Sequence, residues 1–574
     1  HVLTIMEYKD ATFPEDAFRD PFAEKVLPSD VGDSPLSEEQ SAAYGALSSL
    51  YESGEAKAAL LHGVTGSGKT SVYLRLIDEV FAAGKGIIVM VPEISLTPQT
   101  LDLFYQRYGD TVAVFHSGLS AGERLDEWKR VREGLAKIVV GTRSAVFAPV
   151  EDLGLIIMDE EQEHTYQSDR SPRYHARDVA KFRCAERNAL LVLASATPSF
   201  STFAAAQSGR YSFHALRTRY GDATLPEVVT VDLCKERSAG NKSSISRYLL
   251  AELKKNLDEG RQSILLMNRR GYNTYVACES CGNVVTCPNC SISLTYHNAN
   301  RRLMCHYCGH STRVVQRCPS CGGPLKPLGA GTQKIQEALE FEFPDTEVLR
   351  MDADTVSAVN THEKLLDRFK NEKIPILIGT QMVAKGLNLP DVTLVGVLDA
   401  DLSLYADSYR AAETTFNMLT QVVGRAGRGA RPGRAVIQTL VPEHRILNLA
   451  ARQDYDGFYE LESSLRRVTQ SPPYGDIAHI TFTGENEGAV MRGAAMFRDS
   501  LDVWLKQNGV GEFALLGPAP CPVMKINYNF RYRLTLRCQV TRPVRLMLAQ
   551  LLRLFQQDRQ HRGVNAWIDV NGFD

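Results

Sequence analysis

The sequence predicts an α/β protein with two doubly wound, parallel-sheet lobes, a cysteine-rich insertion in the second lobe and a small α+β C-terminal domain. Short apolar runs such as "AALLHG", "LGLIIMDE" and "LLVLASAT" alternate with helix-like stretches in the first half. A second set, including "QSILLMN", "IPILIGT" and "RAVIQTL", follows after the midpoint. Continuous apolar runs separated by helices indicate parallel strands that are buried on both faces.

Composition sets limits on the class of protein. The chain has 574 residues, is 44% hydrophobic and carries a net charge of −2, so it has ample core for several domains but no global basic field. Any nucleic-acid contact must therefore come from local patches. No run of about 18 apolar residues is present, so we expect no membrane span. The start, "HVLTIMEYKD", predicts a cut or processed cytoplasmic chain rather than a secreted one.

Composition shifts divide the chain into five predicted regions. An acidic, proline-punctuated linker precedes the first lobe, and the cysteine-rich insertion interrupts the second lobe early. After "SPPYGD" the pattern changes again, to that of the small terminal domain. The predicted boundaries are 1–34 for the linker, 35–225 for lobe one, 226–274 and 331–468 for lobe two, 275–330 for the insertion and 469–574 for the last domain.

A phosphate-binding loop is predicted at "GVTGSGKT", residues 63–70. It follows an apolar run and precedes a helix-like stretch, which is the context that this loop requires. Its glycines allow a tight turn whose backbone N–H groups point at phosphates, while the lysine adds charge and the threonine hydroxyl can bind Mg²⁺. The predicted nucleotide-binding residues of the loop are Gly63, Gly66, Ser67, Gly68, Lys69 and Thr70.

An acidic pair ends the apolar run "LGLIIMDEEQ". We expect Asp159 to hold Mg²⁺ and Glu160 to position or deprotonate the attacking water, because phosphoryl transfer needs mainly positioning and charge neutralisation. Cationic help is predicted from "QVVGRAGRG", where Gln421, Arg425 and Arg428 lie on one side of a helix. The alternative is that these arginines form surface salt bridges.

Eight cysteines form four C-x-x-C pairs between residues 278 and 321. This spacing indicates metal ligation, with a disulfide framework as the alternative in a secreted chain. Eight thiolates are enough to close two structural Cys₄ zinc sites, and no open position remains for catalysis. The inner pairs have zinc-ribbon spacing, which favours a nested arrangement, although sequential pairing is also permitted. The predicted ligands are Cys278, Cys281, Cys318 and Cys321 for one site and Cys287, Cys290, Cys305 and Cys308 for the other.

The ordered motifs resemble those of superfamily-two nucleic-acid helicases, and more narrowly the bacterial replication-restart helicase family. The resemblance covers nearly the whole chain and rests on "LSEEQSAAY", "VPEISLTPQT", "GTRSAVFAP", "SATPS", "NRRGY" and "GTQMVAKGLNLPDV", together with the phosphate, acidic, cysteine and arginine motifs. It implies RecA-like lobes, nested zinc pairing and a base-reading role for Gln40. It also implies DNA contact through Arg143 and through an aromatic-rich loop.

The aromatic-rich loop is "TYQSDRSPRYHARDVA", which mixes aromatic and cationic groups suited to stacking bases and pairing phosphates. The predicted DNA contacts here are Tyr166, Arg173 and Tyr174. The alternative is a polar surface loop whose tyrosines are anchored in the core. In the tail, "KINYNFRYRLTLR" predicts a strand with three arginines on one face, either an exposed face or a second DNA contact.

Two departures from the family pattern matter. The acidic motif reads DEEQ rather than DEEH, so Gln162 replaces a histidine, and we expect altered coupling rather than an inactive enzyme. The family also begins with a DNA-binding domain and a winged helix, and "AFRDPF" (17–22) resembles the end of that winged helix. We therefore expect residues 1–34 to be the exit of a region that is otherwise missing.

The resemblance implies an ATP- and Mg²⁺-dependent 3′→5′ DNA helicase with two Zn²⁺ that remodels stalled forks and initiates primosome assembly. Implied partners are forked and single-stranded DNA, the single-stranded-DNA-binding protein, primosome proteins and the replicative-helicase loader. We expect a monomer with no membrane contact, associated with the nucleoid. A fork-binding scaffold with a relic ATPase is the first alternative, although the loop lysine and acidic pair count against it. A translocase that does not separate strands is the second.

Overall fold

The computed structural model describes residues 35–572 apart from 93–97, 169–171, 221–224, 242, 268–273, 290–291, 298–300, 307, 315, 328–331, 352–360, 381–388, 390, 407 and 427–431.

Lobe one is a seven-stranded sheet between two layers of helices. The first elements in chain order are α1 (Glu38–Glu52), β1 (Lys57–Gly63), α2 (Lys69–Ala82), β2 (Gly86–Met90), α3 (Pro98–Tyr108), β3 (Val112–Phe115), α4 (Ala121–Arg132), β4 (Ile138–Gly141), β5 (Leu153–Asp159), α5 (Ala176–Arg187), β6 (Leu190–Ser195), α6 (Phe200–Gln207) and β7 (Ser212–Leu216).

The sheet of lobe one is parallel throughout, in the order β3-β4-β2-β5-β6-β1-β7. Strands β2, β4 and β6 are buried along their whole length, as the continuous apolar runs predict. The carboxyl ends of β5, β6 and β1 are adjacent, and ligand sites of open α/β sheets form at such ends. The phosphate loop, the acidic motif and the "SATPS" turn therefore meet at one edge.

Lobe two is a second parallel sheet, in the order β15-β16-β9-β17-β18-β8. The fold prediction is confirmed, although the short edge strands β3, β7 and β8 were not among the predicted runs. The elements of lobe two are β8 (Glu227–Asp232), α7 (Leu233–Ser238), α8 (Arg247–Asp258), β9 (Gln262–Leu266), α9 (Thr332–Glu342), β15 (Val348–Met351), α10 (Thr361–Asn371), β16 (Ile376–Gly379), β17 (Val392–Val397), α11 (Asp401–Leu404), α12 (Ala411–Val423), β18 (Arg434–Thr439), α13 (Arg445–Ala451) and α14 (Tyr455–Val468).

The cysteine-rich module lies between β9 and α9 and is a five-stranded antiparallel sheet. It packs against lobe two, where a Cβ placed on Gly282 would lie 2.5 Å from the Leu440 carbonyl oxygen. On another side it contacts the last domain, because His306 Nδ1 lies 2.8 Å from the Pro520 carbonyl oxygen. Its strands are β10 (Thr274–Cys278), β11 (Thr295–His297), β12 (Arg302–Met304), β13 (Ser311–Arg313) and β14 (Leu325–Pro327).

The last domain is a four-stranded antiparallel sheet in the order β20-β21-β19-β22, with two helices on one face. On the opposite face Arg533 is 6% exposed and donates from Nη2 to the His306 carbonyl oxygen at 3.5 Å. The arginine face of "KINYNFRYRLTLR" is thus partly covered by the cysteine-rich module. The elements are β19 (Asp476–Gly484), α15 (Glu487–Gln507), β20 (Ala514–Ile526), β21 (Asn529–Cys538), α16 (Arg542–Gln557) and β22 (Asn565–Val570).

The two lobes share one continuous apolar core. An aromatic cluster joins α6 of lobe one to α14 of lobe two, with ring centroids 4.6 Å apart for Phe200 and Tyr459 and 4.9 Å apart for Phe203 and Tyr455. Offset and edge-to-face aromatic pairs stabilise such contacts beyond their buried area. Within the described ranges, no helix is long and apolar enough to cross a bilayer.

Candidate nucleotide, metal and DNA sites

The phosphate loop connects β1 to α2, as its motif predicts. Gly66 and Gly68 have φ angles of 84° and 76°, which L side chains rarely adopt. At Gly68 a Cβ would also lie 2.3 Å from Gln40 Nε2. Lys69 donates from Nζ to the Gly63 carbonyl oxygen at 2.9 Å. The lysine is therefore held beside the loop, within reach of a phosphate.

Gln40 braces the loop from α1. Its Nε2 donates to the Ser67 carbonyl oxygen at 2.8 Å, and its Oε1 accepts the Ser37 N–H at 2.9 Å in the capping box of α1. The side chain is 1% exposed. Both amide atoms thus have partners within the protein, and the base-reading role of Gln40 stays a prediction.

Asp159 and Glu160 lie at the end of β5, opposite the loop. Burial raises the pKa of Asp159 to about 6, the Glu160 charge adds to the rise, and Lys69 opposes it. Glu160 has a φ of 45°, a strained conformation of the kind that concentrates at functional sites. Tyr73, which the sequence reasoning missed, donates to Asp159 Oδ2 at 3.3 Å. It follows Thr70 by three residues on α2, so helical spacing alone places it on the face that carries the predicted Mg²⁺ ligand.

Gln162 links the acidic motif to the "SATPS" turn. Its Nε2 donates to Glu160 Oε2 at 2.7 Å, and its Oε1 accepts the Ser195 hydroxyl at 2.6 Å. A neutral amide can donate and accept at the same time, as a neutral imidazole can. The glutamine in DEEQ therefore makes contacts on both sides of the position that a histidine occupies in the family pattern.

The arginine motif of lobe two meets the phosphate loop across a shared seam. Gln421 Nε2 lies 3.4 Å from Glu160 Oε2, and a Cβ on Gly424 would lie 2.9 Å from the Thr65 side chain. Arg425 follows directly and is partly exposed. Arg428 lies outside the described residues, so its role stays a prediction.

The phosphate loop also contains polar groups that suit a phosphate ligand. Thr65 Oγ1 and Ser67 Oγ are buried and have no hydrogen-bond partner among the described residues. Such groups usually have a partner in the functional state. Together with the Lys69 ammonium and the Asp159 carboxylate, they fit a nucleotide polyphosphate with Mg²⁺.

The cysteines of the insertion form two clusters. Cys278, Cys281, Cys318 and Cys321 lie together, and Cys287, Cys305 and Cys308 form the second group, while Cys290 lies outside the described residues. The Sγ atoms are 3.5 Å apart for Cys278 and Cys321 and 3.8 Å apart for Cys281 and Cys318. A tetrahedral site with Zn–S bonds of about 2.3 Å requires Sγ separations of roughly 3.8 Å, whereas a disulfide requires about 2.05 Å. The groups follow the nested arrangement and fit metal ligation.

Backbone amides support the outer cluster. The N–H groups of Ser280, Ser320 and Gly323 each donate to a cysteine Sγ at 3.4 Å. Hydrogen bonds of this kind stabilise thiolates and orient them toward a metal.

The predicted DNA contact at Tyr166 is wrong in this structure. The ring is fully buried, and its hydroxyl donates to the carbonyl oxygens of Asp159 at 2.7 Å and Met90 at 3.0 Å. The alternative, a tyrosine anchored in the core, describes it correctly, since an apolar ring with a satisfied hydroxyl is stable inside.

The other predicted DNA contacts lie near one another but already have protein partners. Arg143 donates to the carbonyl oxygens of Thr165 at 3.1 Å and Gln167 at 2.5 Å, and its guanidinium lies 6.0 Å from the half-buried Tyr174 ring. Arg173 pairs with Asp569 at 2.7 Å and lies 4.9 Å over the ring of Trp567 in the last domain. Their DNA roles remain predictions.

Four protein-family models match successive parts of the chain. They are the DEAD/DEAH box helicase family over residues 38–205, the PriA DNA helicase Cys-rich region over 287–313, the helicase conserved C-terminal domain over 330–430 and the primosomal protein N C-terminal domain over 467–572.

Whole-chain relatives agree with these matches. The replication restart protein PriA of Bacillus subtilis is 42% identical over 97% of this chain and 69% of its own length. The protein of the same name from Synechocystis is 42% identical over 83% of this chain, which spans 58% of that relative. Among solved structures, RecG bound to a three-way DNA junction is similar over 76% of this chain and 47% of its own, with 15% identity and a TM-score of 0.45.

Proposed function

The chain belongs to the PriA family of replication restart helicases. From this membership we propose that the two lobes close on ATP, and that this closure moves the protein 3′→5′ along one strand of a stalled fork. Both helicase domains are present, so the chain is an ATP-dependent DNA helicase. We propose that strand separation at the fork prepares it for primosome assembly.

The observation that carries this proposal is the shared seam. Gln421 of lobe two lies against Glu160 of lobe one, and Gly424 lies against Thr65 of the phosphate loop. In our proposal Lys69 and the loop amides bind the β- and γ-phosphates, Glu160 positions water, and Arg425 and Arg428 stabilise the charge that develops. Thr70 and Asp159 would hold Mg²⁺, which neutralises phosphate charge. Relaxation of the arginine contacts after hydrolysis would then let the lobes separate.

Lys69→Ala tests the motor directly. We expect it to abolish both ATP hydrolysis and strand displacement on a forked duplex, because it removes the charge that binds the phosphates. The matched control is Lys57→Ala, an exposed lysine at the start of β1 that pairs with Glu55, and it should leave both rates unchanged. Unwinding that survives Lys69→Ala would contradict the proposal.

We propose two structural Zn²⁺ ions, one for each cysteine cluster, with Cys290 as the fourth ligand of the second. Structural zinc supplies on the order of 10 kcal/mol to a small module. Atomic absorption should find two equivalents in the wild type and one in Cys278→Ser or Cys287→Ser, whereas Cys184→Ser, a buried thiol in lobe one, should keep both. Two equivalents in both ligand variants would contradict this assignment.

The partners that we propose are forked and single-stranded DNA, the single-stranded-DNA-binding protein and the proteins that load the replicative helicase, with a cytoplasmic, nucleoid-associated location. A translocase without strand separation remains the competing function. The two are distinguished by displacement of a labelled strand from a forked duplex. ATP hydrolysis that is stimulated by single-stranded DNA without any displacement would favour the translocase.

A further inference from the structure

A chain of hydrogen bonds runs from the acidic motif toward lobe two. It begins at Glu160, which accepts from Gln162, and continues through Gln162 to the Ser195 hydroxyl. Ser195 Oγ in turn accepts the Thr197 N–H at 2.9 Å. The "SATPS" turn is therefore linked to Glu160, the carboxylate proposed to position the attacking water.

Lobe two holds the other side of the same turn. The Tyr455 hydroxyl donates to the Pro198 carbonyl oxygen at 2.6 Å, and Glu413 Oε1 accepts the Phe200 N–H at the start of α6 at 2.9 Å. Glu161 of lobe one accepts the neighbouring Ser199 N–H at 2.5 Å. Carboxylates from both lobes thus share the N-terminus of α6, where partial positive charge favours anions.

Glu413 is fixed by a buried ion pair. Its Oε2 accepts from Arg466 Nη2 at 2.9 Å, and Arg466 Nε donates to Glu462 at 2.8 Å. Arg466 is 2% exposed and lies 4.3 Å over the Phe200 ring. Burial alone raises the pKa of Glu413, but the charges of Arg466 and Arg410 and the Phe200 amide lower it below its ordinary range, so the carboxylate stays charged.

We propose that Tyr455 and Glu413, the latter held in place by Arg466, are positioning residues that read the "SATPS" turn and the start of α6 for lobe two. Each contact to the turn is directional, so a shift of the turn when Glu160 and Gln162 rearrange would break or re-form it. Lobe two would then follow the state of the hydrolysis site through this contact, in addition to the arginine motif. The inference rests on the proposed motor function and specifies which lobe-two residues couple hydrolysis to movement.

Tyr455→Phe is the main test, because it removes one hydroxyl and keeps the ring in the aromatic cluster. Its matched control is Tyr532→Phe, which has the same 5% exposure and loses a hydroxyl that donates to Glu487 at 2.6 Å within the last domain. We expect Tyr455→Phe to lower the number of base pairs unwound per ATP about fivefold, the equilibrium change expected for one buried hydrogen bond. KM for ATP should not change, since no ATP contact is removed.

Glu413→Gln provides a second measurement, because glutamine keeps an acceptor for the Phe200 N–H but loses the charge that pairs with Arg466. We expect it to lower the same ratio, while Glu413→Asp, which keeps the charge, recovers part of it. If the wild type unwinds DNA and both Tyr455→Phe and Glu413→Gln unwind as many base pairs per ATP as the wild type does, the inference is overturned but the proposed function is not. Wild-type protein that hydrolyses ATP without unwinding would instead overturn the proposed function.

Discussion

Gly424 leaves no room for a side chain at the seam, which makes Gly424→Ala a sharp test of lobe closure. The added Cβ would lie 2.9 Å from the Cβ, Cγ2 and Oγ1 atoms of Thr65, whereas carbon atoms in good contact are about 3.5–4.0 Å apart. Overpacking of this kind costs about 1–3 kcal/mol. Gly424 has a φ of −64°, so alanine fits its backbone, and the smaller unfolded-state entropy returns about 0.4–1 kcal/mol to global stability.

The two effects act on different measurements. The midpoint of thermal unfolding should change little. The population of the conformation with the seam closed should fall about five- to a hundredfold, because each 1.4 kcal/mol of overpacking changes an equilibrium about tenfold. DNA-stimulated kcat/KM for ATP should fall by a similar factor. Thr65→Gly removes all three contacting atoms, so Gly424→Ala should lower kcat/KM much less in the Thr65→Gly background than in the wild type. An equal loss of kcat/KM from Gly424→Ala in the wild-type and Thr65→Gly backgrounds, or a Gly424→Ala single variant with normal kcat/KM, would refute the reasoning.

Two further predictions concern a buried carboxyl and the aromatic-rich loop. Burial and the neighbouring Asp399 raise the pKa of Asp401 from 3.8 to about 7, so the stability that its protonated form contributes is lost as pH rises through about 7. From pH 6 to pH 8 the free energy of unfolding of Asp401→Asn should therefore rise by about 1 kcal/mol relative to that of the wild type. Hydrogen exchange of the backbone amides of residues 434–439 measures this difference. A difference that does not depend on pH would contradict the prediction. Tyr174→Ala should weaken DNA stimulation of hydrolysis and spare basal turnover, with Tyr211→Ala, another partly buried tyrosine of lobe one, as the control. Equal stimulation in the two variants would contradict a DNA role for Tyr174.

The sequence predicted the parts of the fold that depend on local pattern. The apolar runs that became β2, β4 and β6 are continuous because both faces of those strands are covered. The edge strand β7 was missed because only its last residue, Leu216, is buried, so it lacks that signature. The phosphate loop and its flanking elements could be predicted because its glycines are required by the backbone conformation of a segment of only eight residues.

Contacts between distant segments could not be predicted in the same way. Tyr166 has the composition of a DNA-stacking residue, and only its position behind β5 reveals it as core. Glu413 and Arg466 carry no motif, since their pairing depends on how α12 and α14 meet. The base-reading role of Gln40 stays a prediction, and the sequence alone does not reveal that its amide also donates to the Ser67 carbonyl oxygen of the folded loop.

The position of the cysteine-rich module between lobe two and the terminal sheet has a consequence for how oxidation of its cysteines would affect the rest of the chain. Gly282 lies against Leu440 on one side and His306 lies against Pro520 on the other, so the module helps to orient the terminal domain on the motor, together with the contact between Arg173 and Asp569. Oxidants that convert its thiolates to disulfides would shorten sulfur separations to about 2.05 Å and distort both contacts together. We therefore expect loss of the proposed zinc, or oxidation of its cysteine ligands, to lower strand displacement while leaving the ATP-binding residues chemically intact.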